Sequence, residues 1–215
     1  MVGLTALAML VGAVLVRYMP AVPEADRLLE PITPAQTLPA FALRGANGAV
    51  ANSSMQGQWW LVVFGYAGCP DVCPTTLAQL ASVHRLMIAA GKTPPGVLFV
   101  SVDPRRDTPQ LLQNYVSYFS PGFTSVSGSP AQLTALADAL GASFSVPARA
   151  AQGAPSAAYA VGHSAAVLLI DPNGRLVARV SQPLAARPLA DALIVRQLSA
   201  LQSPIRVASQ LAPKG

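Results

Sequence analysis

Cys69 and Cys73, the two cysteines of the chain, stand four residues apart in Gly68-Cys69-Pro70-Asp71-Val72-Cys73-Pro74. Two thiols at this spacing support three chemistries: they pack as small apolar residues, close a disulfide, or share a soft metal ion. Packing is the weakest reading, because both lie at a helix mouth between Gly and Pro and not within an apolar stripe. The helix is announced by Leu77, Leu80, Val83, Leu86 and Met87 at helical spacing, and Pro74 suits its first turn, where a missing N–H costs nothing. Free backbone N–H groups at that end favour a thiolate over a thiol, so Cys73 in particular is expected to be reactive.

Sulfurs in a turn need rigid elements on either side. Trp59-Trp60-Leu61-Val62-Val63-Phe64 is a continuous apolar run of the kind a buried parallel strand shows. Past the helix, Gly91 to Gly96 is a turn and Val97 to Val102 a second buried strand, so strand, helix and strand predict a right-handed parallel crossover. Thr108 caps a helix opened by Pro109, with Leu111, Leu112, Tyr115, Val116 and Phe119 on its face. Phe123 to Val126 reads as a short strand, and Pro130 opens a helix with Leu133, Leu136, Ala137 and Leu140 inward. Ala142 to Val161 is dominated by small residues and is too poor in large apolar residues to form a core. Ala165 to Ile170 and Arg175 to Val180 pair across Asp171-Pro172-Asn173-Gly174 as a hairpin, and Pro188 starts a closing helix with Leu189, Leu193, Val195 and Leu198 apolar. Upstream, Asn47-Gly48 between Phe41-Ala42-Leu43 and Val50-Ala51 signals an N-terminal hairpin with which the domain is expected to begin. This order predicts an α/β fold of thioredoxin-like layout, a mixed central sheet with helices on both faces.

The length of 215 residues suits one domain with appendages. Net charge is +5, but the basic residues are scattered, with no run beyond Arg105-Arg106 and no aromatic ladder, which argues against nucleic-acid binding. Mean hydropathy is +0.44, high for a soluble protein, and the excess points to the N-terminus. Residues 1–20 read as a hydrophobic anchor or signal: Met1 to Val16 carries no charge and is closed by Arg17, Tyr18 and Pro20. As a helix that run reaches about 24 Å, short of the roughly 30 Å hydrocarbon core unless Arg17 snorkels and Tyr18 sits at the interface. Lack of a basic leader and of a small-residue cleavage site favours a retained anchor over a cleaved signal, although Arg17 runs against the positive-inside rule. Residues 21–37, rich in proline, are expected to be a tether, 38–201 the folded domain and 202–215 a tail.

Three stretches in register carry a resemblance. Phe64 to Leu77 with its two cysteines, Ser101-Val102-Asp103-Pro104-Arg105-Arg106-Asp107-Thr108-Pro109, and Gly162-His163-Ser164 followed by Leu169-Ile170-Asp171-Pro172-Asn173-Gly174 resemble the signatures of the Sco (SenC-type) copper chaperones. The resemblance runs from roughly Leu38 to Leu198. Members of that family are thioredoxin-like and help assemble the copper centre of cytochrome c oxidase. The resemblance implies a copper ion, Cu(I) or Cu(II), held by Cys69, Cys73 and His163. It implies delivery to cytochrome c oxidase subunit II, a copper donor that the sequence does not identify, and an exported domain, periplasmic in a bacterial-type cell, tied to the inner membrane by the N-terminal helix. Two positions depart from the pattern. Gly162 stands where the family often has Asp, so the imidazole must be oriented by something else, and Gly68 stands where relatives often carry a polar residue or His.

Copper(I) favours thiolate and imidazole and accepts low coordination numbers, so two Cys and one His suffice, whereas zinc wants a fourth ligand. Of the two histidines, His84 lies eleven residues past Cys73 on one helix, the same face by angle but about 16 Å further along the axis. His163 ends a loop before the strand at Ala165, on the edge that faces the cysteine turn in a thioredoxin layout. Asp103 reads as a turn residue engaged with Arg105 or Arg106, and Asp71 as an exposed spacer.

Two functions follow. One is a metallochaperone. The other is a thiol-disulfide oxidoreductase, in which Cys69 and Cys73 cycle between dithiol and disulfide to keep a partner's cysteines reduced. The second does not need His163. Generic redox members of the fold fit less well: thioredoxins have two residues between their cysteines and a cis-proline before the strand that here begins at Ala165, and thiol peroxidases have Thr where Tyr66 stands.

Overall fold

The computed structural model describes residues 28–148 and 159–197. In chain order the elements are β1 (Leu29–Thr37), β2 (Ala42–Gly45), β3 (Gly48–Ala51), a 3-10 turn (Asn52–Met55), β4 (Trp60–Gly65), α1 (Val72–Ala89), β5 (Gly96–Ser101), α2 (Pro109–Phe119), β6 (Thr124–Ser127), α3 (Pro130–Ala139), β7 (Phe144–Ser145), β8 (Gly162–His163), β9 (Val167–Ile170) and β10 (Arg175–Val180). Residues 186–197 form a closing helix, α4. The main sheet has the order β1-β10-β9-β4-β5-β6-β2-β3, and β7 pairs with β8 in a separate ribbon.

The centre of the sheet is the predicted parallel unit. β4 pairs with β5 from Trp60↔Gly96 to Gly65↔Ser101, β5 pairs in parallel with β6, and β9 adds to β4 antiparallel. All six residues of β4 are buried, as a strand covered on both faces requires. Strand periodicity sorts them: Leu61 and Val63 join the core that holds Leu77, Leu80, Leu112, Val116, Leu189 and Leu193, while Val62 and Phe64 join Leu133 and Leu136 on the other face. Helices therefore cover both faces, with α1, α2 and α4 on one and α3 on the other.

Local chemistry fixes the helix starts. The Leu111 N–H donates to Thr108 Oγ1 at 3.3 Å with Pro109 as the first helical residue of α2. In α3 the Gln132 N–H donates to Ser129 Oγ at 3.3 Å and the Gln132 side chain accepts from the Ser129 N–H at 3.0 Å, a reciprocal capping box. The β2–β3 hairpin turns through Ala46 and Asn47 into Gly48, whose φ of +120° favours glycine.

Four expectations are corrected. The stretch read as a tether becomes, from Leu29, an edge strand paired antiparallel with β10, so the β2–β3 hairpin is not the first element of the sheet. Only Leu29 of β1 is buried, which leaves no alternation to read, and a register shift between Pro31 and Gln36 accommodates prolines that an edge strand tolerates. Val195, expected on the apolar face of the closing helix, is 60% exposed. The stretch from Ala142 to Val161 does contribute to the core, because Ala142, Tyr159 and Val161 are buried against α3 and the sheet. The fourth concerns Cys73, whose burial to 1% exposure opposes the reactivity expected of a thiol at a helix start. Among the described residues no helix is long and apolar enough to cross a membrane. The expected anchor at 1–20, the tail at 202–215 and Leu198 lie outside the described residues.

Candidate metal centre

β4 delivers the chain to the site and α1 takes it away. After Gly65 the backbone turns, with the Cys69 N–H donating to the Tyr66 carbonyl at 3.2 Å, and α1 begins at Val72. Asp71 is the exposed N-cap residue and its side chain makes no capping bond, in keeping with a spacer. Cys73 lies in the first turn, only 1% exposed, and Cys69 is half-buried at the rim. His163 arrives from the other direction on β8, held against Phe144 of β7. The ligand atoms of Cys69, Cys73 and His163 all lie within 4.8 Å of one another, and Cys73 Sγ is 3.3 Å from His163 Nε2. Both thiols are free. His84 is elsewhere, packed edge-on against Phe123 with ring centroids 5.0 Å apart.

The orientation of the imidazole has a source other than an acidic neighbour. His163 Nδ1 lies 3.2 Å from the Ser164 carbonyl oxygen. A carbonyl only accepts, so this bond needs the proton on Nδ1 and leaves the Nε2 lone pair facing Cys73. That is the tautomer a metal ligand through Nε2 requires. Tyr66 closes the other side with its ring edge-on to the imidazole, centroids 5.8 Å apart. A Cβ on Gly162 would lie 2.8 Å from Ser145 Oγ, so a side chain there would require the Ser145 hydroxyl to turn aside.

Burial reverses one expectation about Cys73. Desolvation pushes its thiol well above the ordinary range, a backbone hydrogen bond at Tyr66 pulls the other way, and the nearness of Cys69 and Asp107 adds to the rise. The helix N-terminus does not win at a sulfur this deeply buried. In the metal-free protein burial therefore favours a protonated Cys73 thiol, whose proton an incoming metal must displace. The sign for stability follows. Above the unfolded cysteine pKa of about 8.5 the folded chain keeps a proton that the unfolded chain loses, so stability present below that pH falls as pH rises, by up to about 1.4 kcal/mol per unit. Urea denaturation of the metal-free protein between pH 7 and 10 should show this decline, and Cys73→Ala should flatten it; an unchanged slope in the variant would assign the decline to another group.

Two supporting residues escaped the sequence reading. A Cβ on Gly65 would sit 2.6 Å from Cys73 Sγ and 2.8 Å from the Phe99 ring, so the absence of a side chain there makes the space for the sulfur. Asp107, 4% exposed, accepts from the Ala67 N–H at 3.0 Å and from the Ser101 hydroxyl at 2.5 Å, pinning the cysteine turn to the end of β5. Burial raises its carboxyl pKa, opposed by those same two hydrogen bonds. Asp107 belongs to the motif that drew attention to Asp103, but no local spacing joins it to a residue forty positions earlier. Asp103 itself is buried and paired with Arg106, as its reading as a turn residue implied.

Two thiols and an imidazole converging at the strand-to-helix turn of a thioredoxin-like sheet define a soft-metal site on a thioredoxin-like scaffold. The chain belongs to the SCO1/SenC family, whose sequence model matches residues 30–196. A Stutzerimonas stutzeri protein named for copper binding is 36% identical over 134 residues, 62% of this chain and 63% of that one. A mitochondrial SCO2 homolog of Bos taurus is 33% identical over 168 residues, 77% of this chain and 61% of the relative. The chain thus spans about three-fifths of the length of these two relatives. Among solved structures, Bradyrhizobium japonicum ScoI with copper bound superposes with a TM-score of 0.61 at 34% identity, covering 73% of this chain and 97% of that one. Yeast Sco1 with copper bound gives a TM-score of 0.70 at 25% identity, covering 76% and 90%.

Proposed function

We propose that this chain is a copper metallochaperone that binds one copper ion through Cys69, Cys73 and His163 and passes it to the binuclear copper site of cytochrome c oxidase subunit II. The observation that carries the reading is the three-donor cluster, with ligand atoms within 4.8 Å of one another and His163 Nδ1 turned to the Ser164 carbonyl, which leaves Nε2 for the metal. Two sulfurs and one nitrogen satisfy copper(I), whereas zinc would lack a fourth protein ligand among the described residues. Copper-bound relatives of the same fold support the choice of metal. The unequal burial of the two sulfurs suits a cargo site: Cys73 anchors from below, and half-buried Cys69 is the sulfur that an incoming ligand of the partner can replace first. An exported domain held at the membrane by residues 1–20 completes the proposal.

The same free thiols also allow the oxidoreductase reading. There, two electrons and two protons leave Cys69 and Cys73 as their disulfide forms, and a partner disulfide becomes two thiols. Disulfide exchange needs only the two sulfurs and leaves the converging imidazole of His163 without a part, which places this role second. A titration tests the site that both readings share. The reduced protein should bind one copper per chain, lose it when mild oxidation closes the Cys69–Cys73 bridge, and regain it with reductant. Two tightly held coppers per monomer, or binding that ignores oxidation, would contradict the site.

A further inference from the structure

Arg106 stands between the two halves of the site. Its side chain, 17% exposed, pairs through Nε with the Asp103 carboxylate, which is 1% exposed. One guanidinium N–H donates to the Tyr159 carbonyl at 3.0 Å, and the Tyr159 hydroxyl donates to the other Asp103 oxygen at 3.2 Å. The guanidinium lies 3.9 Å from the centre of the Tyr159 ring and 5.2 Å from that of Tyr66. Tyr159 lies four residues before His163 in the chain. Tyr66 precedes Cys69 and meets the His163 ring edge-on, with centroids 5.8 Å apart. One cation thus touches the strand-to-helix turn that carries the cysteines and the segment that carries the imidazole.

We propose that Arg106 is a positioning residue that clamps the His163 segment onto the cysteine turn before metal arrives; this deepens, and rests on, the copper reading above. A buried carboxylate fixes the guanidinium, and the planar fork can then bond a carbonyl while its face stacks on an aromatic ring, a combination lysine lacks. The clamp matters here because β8 is two residues long and pairs with a two-residue partner, so the ribbon alone holds the imidazole weakly.

Arg106→Gln should weaken copper(I) binding by the roughly 10–100-fold typical of lost outer-shell partners, measured by competition with a chelator on the reduced protein. The discriminating step is the same substitution in a His163→Ala background. A residue that acts through His163 has nothing left to position there, so the further loss should vanish. Equal loss in both backgrounds would make Arg106 general scaffolding, and wild-type affinity in Arg106→Gln would remove the clamp altogether; either result overturns the proposal. If circular dichroism shows Arg106→Gln unfolded, Tyr159→Phe, which deletes only the bond to Asp103, carries the same cycle with a smaller loss. Amide exchange of the metal-free proteins separates this inference from the copper reading. Faster exchange at Val161 and His163 in the variant supports the clamp even if the wild type binds no copper, and unchanged exchange overturns it.

Discussion

Replacing His163 with alanine is expected to weaken copper binding by more than the roughly 10–100-fold that loss of an outer-shell partner costs, while leaving the dithiol–disulfide potential of Cys69 and Cys73 nearly unchanged. The ring touches Cys73 Sγ at 3.3 Å and is half-buried, so truncation opens the site to water, a weaker ligand for copper than imidazole. The disulfide needs only the two sulfurs. In a cell that depends on this chain, His163→Ala should leave the oxidase without copper if delivery is the task, and should leave assembly intact if reduction of partner cysteines is the task. Oxidase copper content is the measurement, and a fully metallated oxidase would move the account to the oxidoreductase.

Substitution of the cysteines should give equal losses of metal and unequal losses of stability. Cys69→Ser and Cys73→Ser each leave one sulfur and should abolish tight copper binding. Cys73 is 1% exposed in the core cluster that holds Leu77, Phe99 and Leu112, and the shorter C–O bond of a serine draws its hydroxyl back from His163 Nε2, 3.3 Å from the sulfur, so the buried hydroxyl is poorly satisfied and costs about 1–3 kcal/mol. Cys69 is half-buried, so the folding cost of serine there should be smaller, about 1 kcal/mol or less. Cys73→Ala avoids the hydroxyl and should separate the two effects, with copper lost and most of the fold retained. Urea denaturation beside a copper titration reads both, and equal destabilisation at the two positions would contradict the burial assigned to Cys73.

Much of this was legible before any coordinates. The apolar run at β4, the helical spacing after Cys73, and the Pro-opened helices at Pro109 and Pro130 are local signals, and each became the element expected. His163 was reachable because the fold places a known strand edge opposite the cysteine turn. What stayed hidden depends on non-local geometry. Nothing in Leu29 to Thr37 marks a strand, since pairing with β10 and not alternation makes it one. Helix position alone argued for a reactive Cys73, but its burial in one core cluster with Phe99 and Leu112 is set by elements far apart in sequence, and desolvation there outweighs the helix end. The Asp107 bond to Ala67 and the Arg106 bond to Tyr159 span forty and fifty-three residues, beyond any spacing rule.

X-ray absorption at the copper edge of the reduced, copper-loaded protein tests the central claim most directly. The account predicts a first shell of two sulfurs and one imidazole nitrogen, with the nitrogen contribution absent from His163→Ala. A shell of sulfur alone in the wild type, or an imidazole signal that survives in His163→Ala, would contradict it.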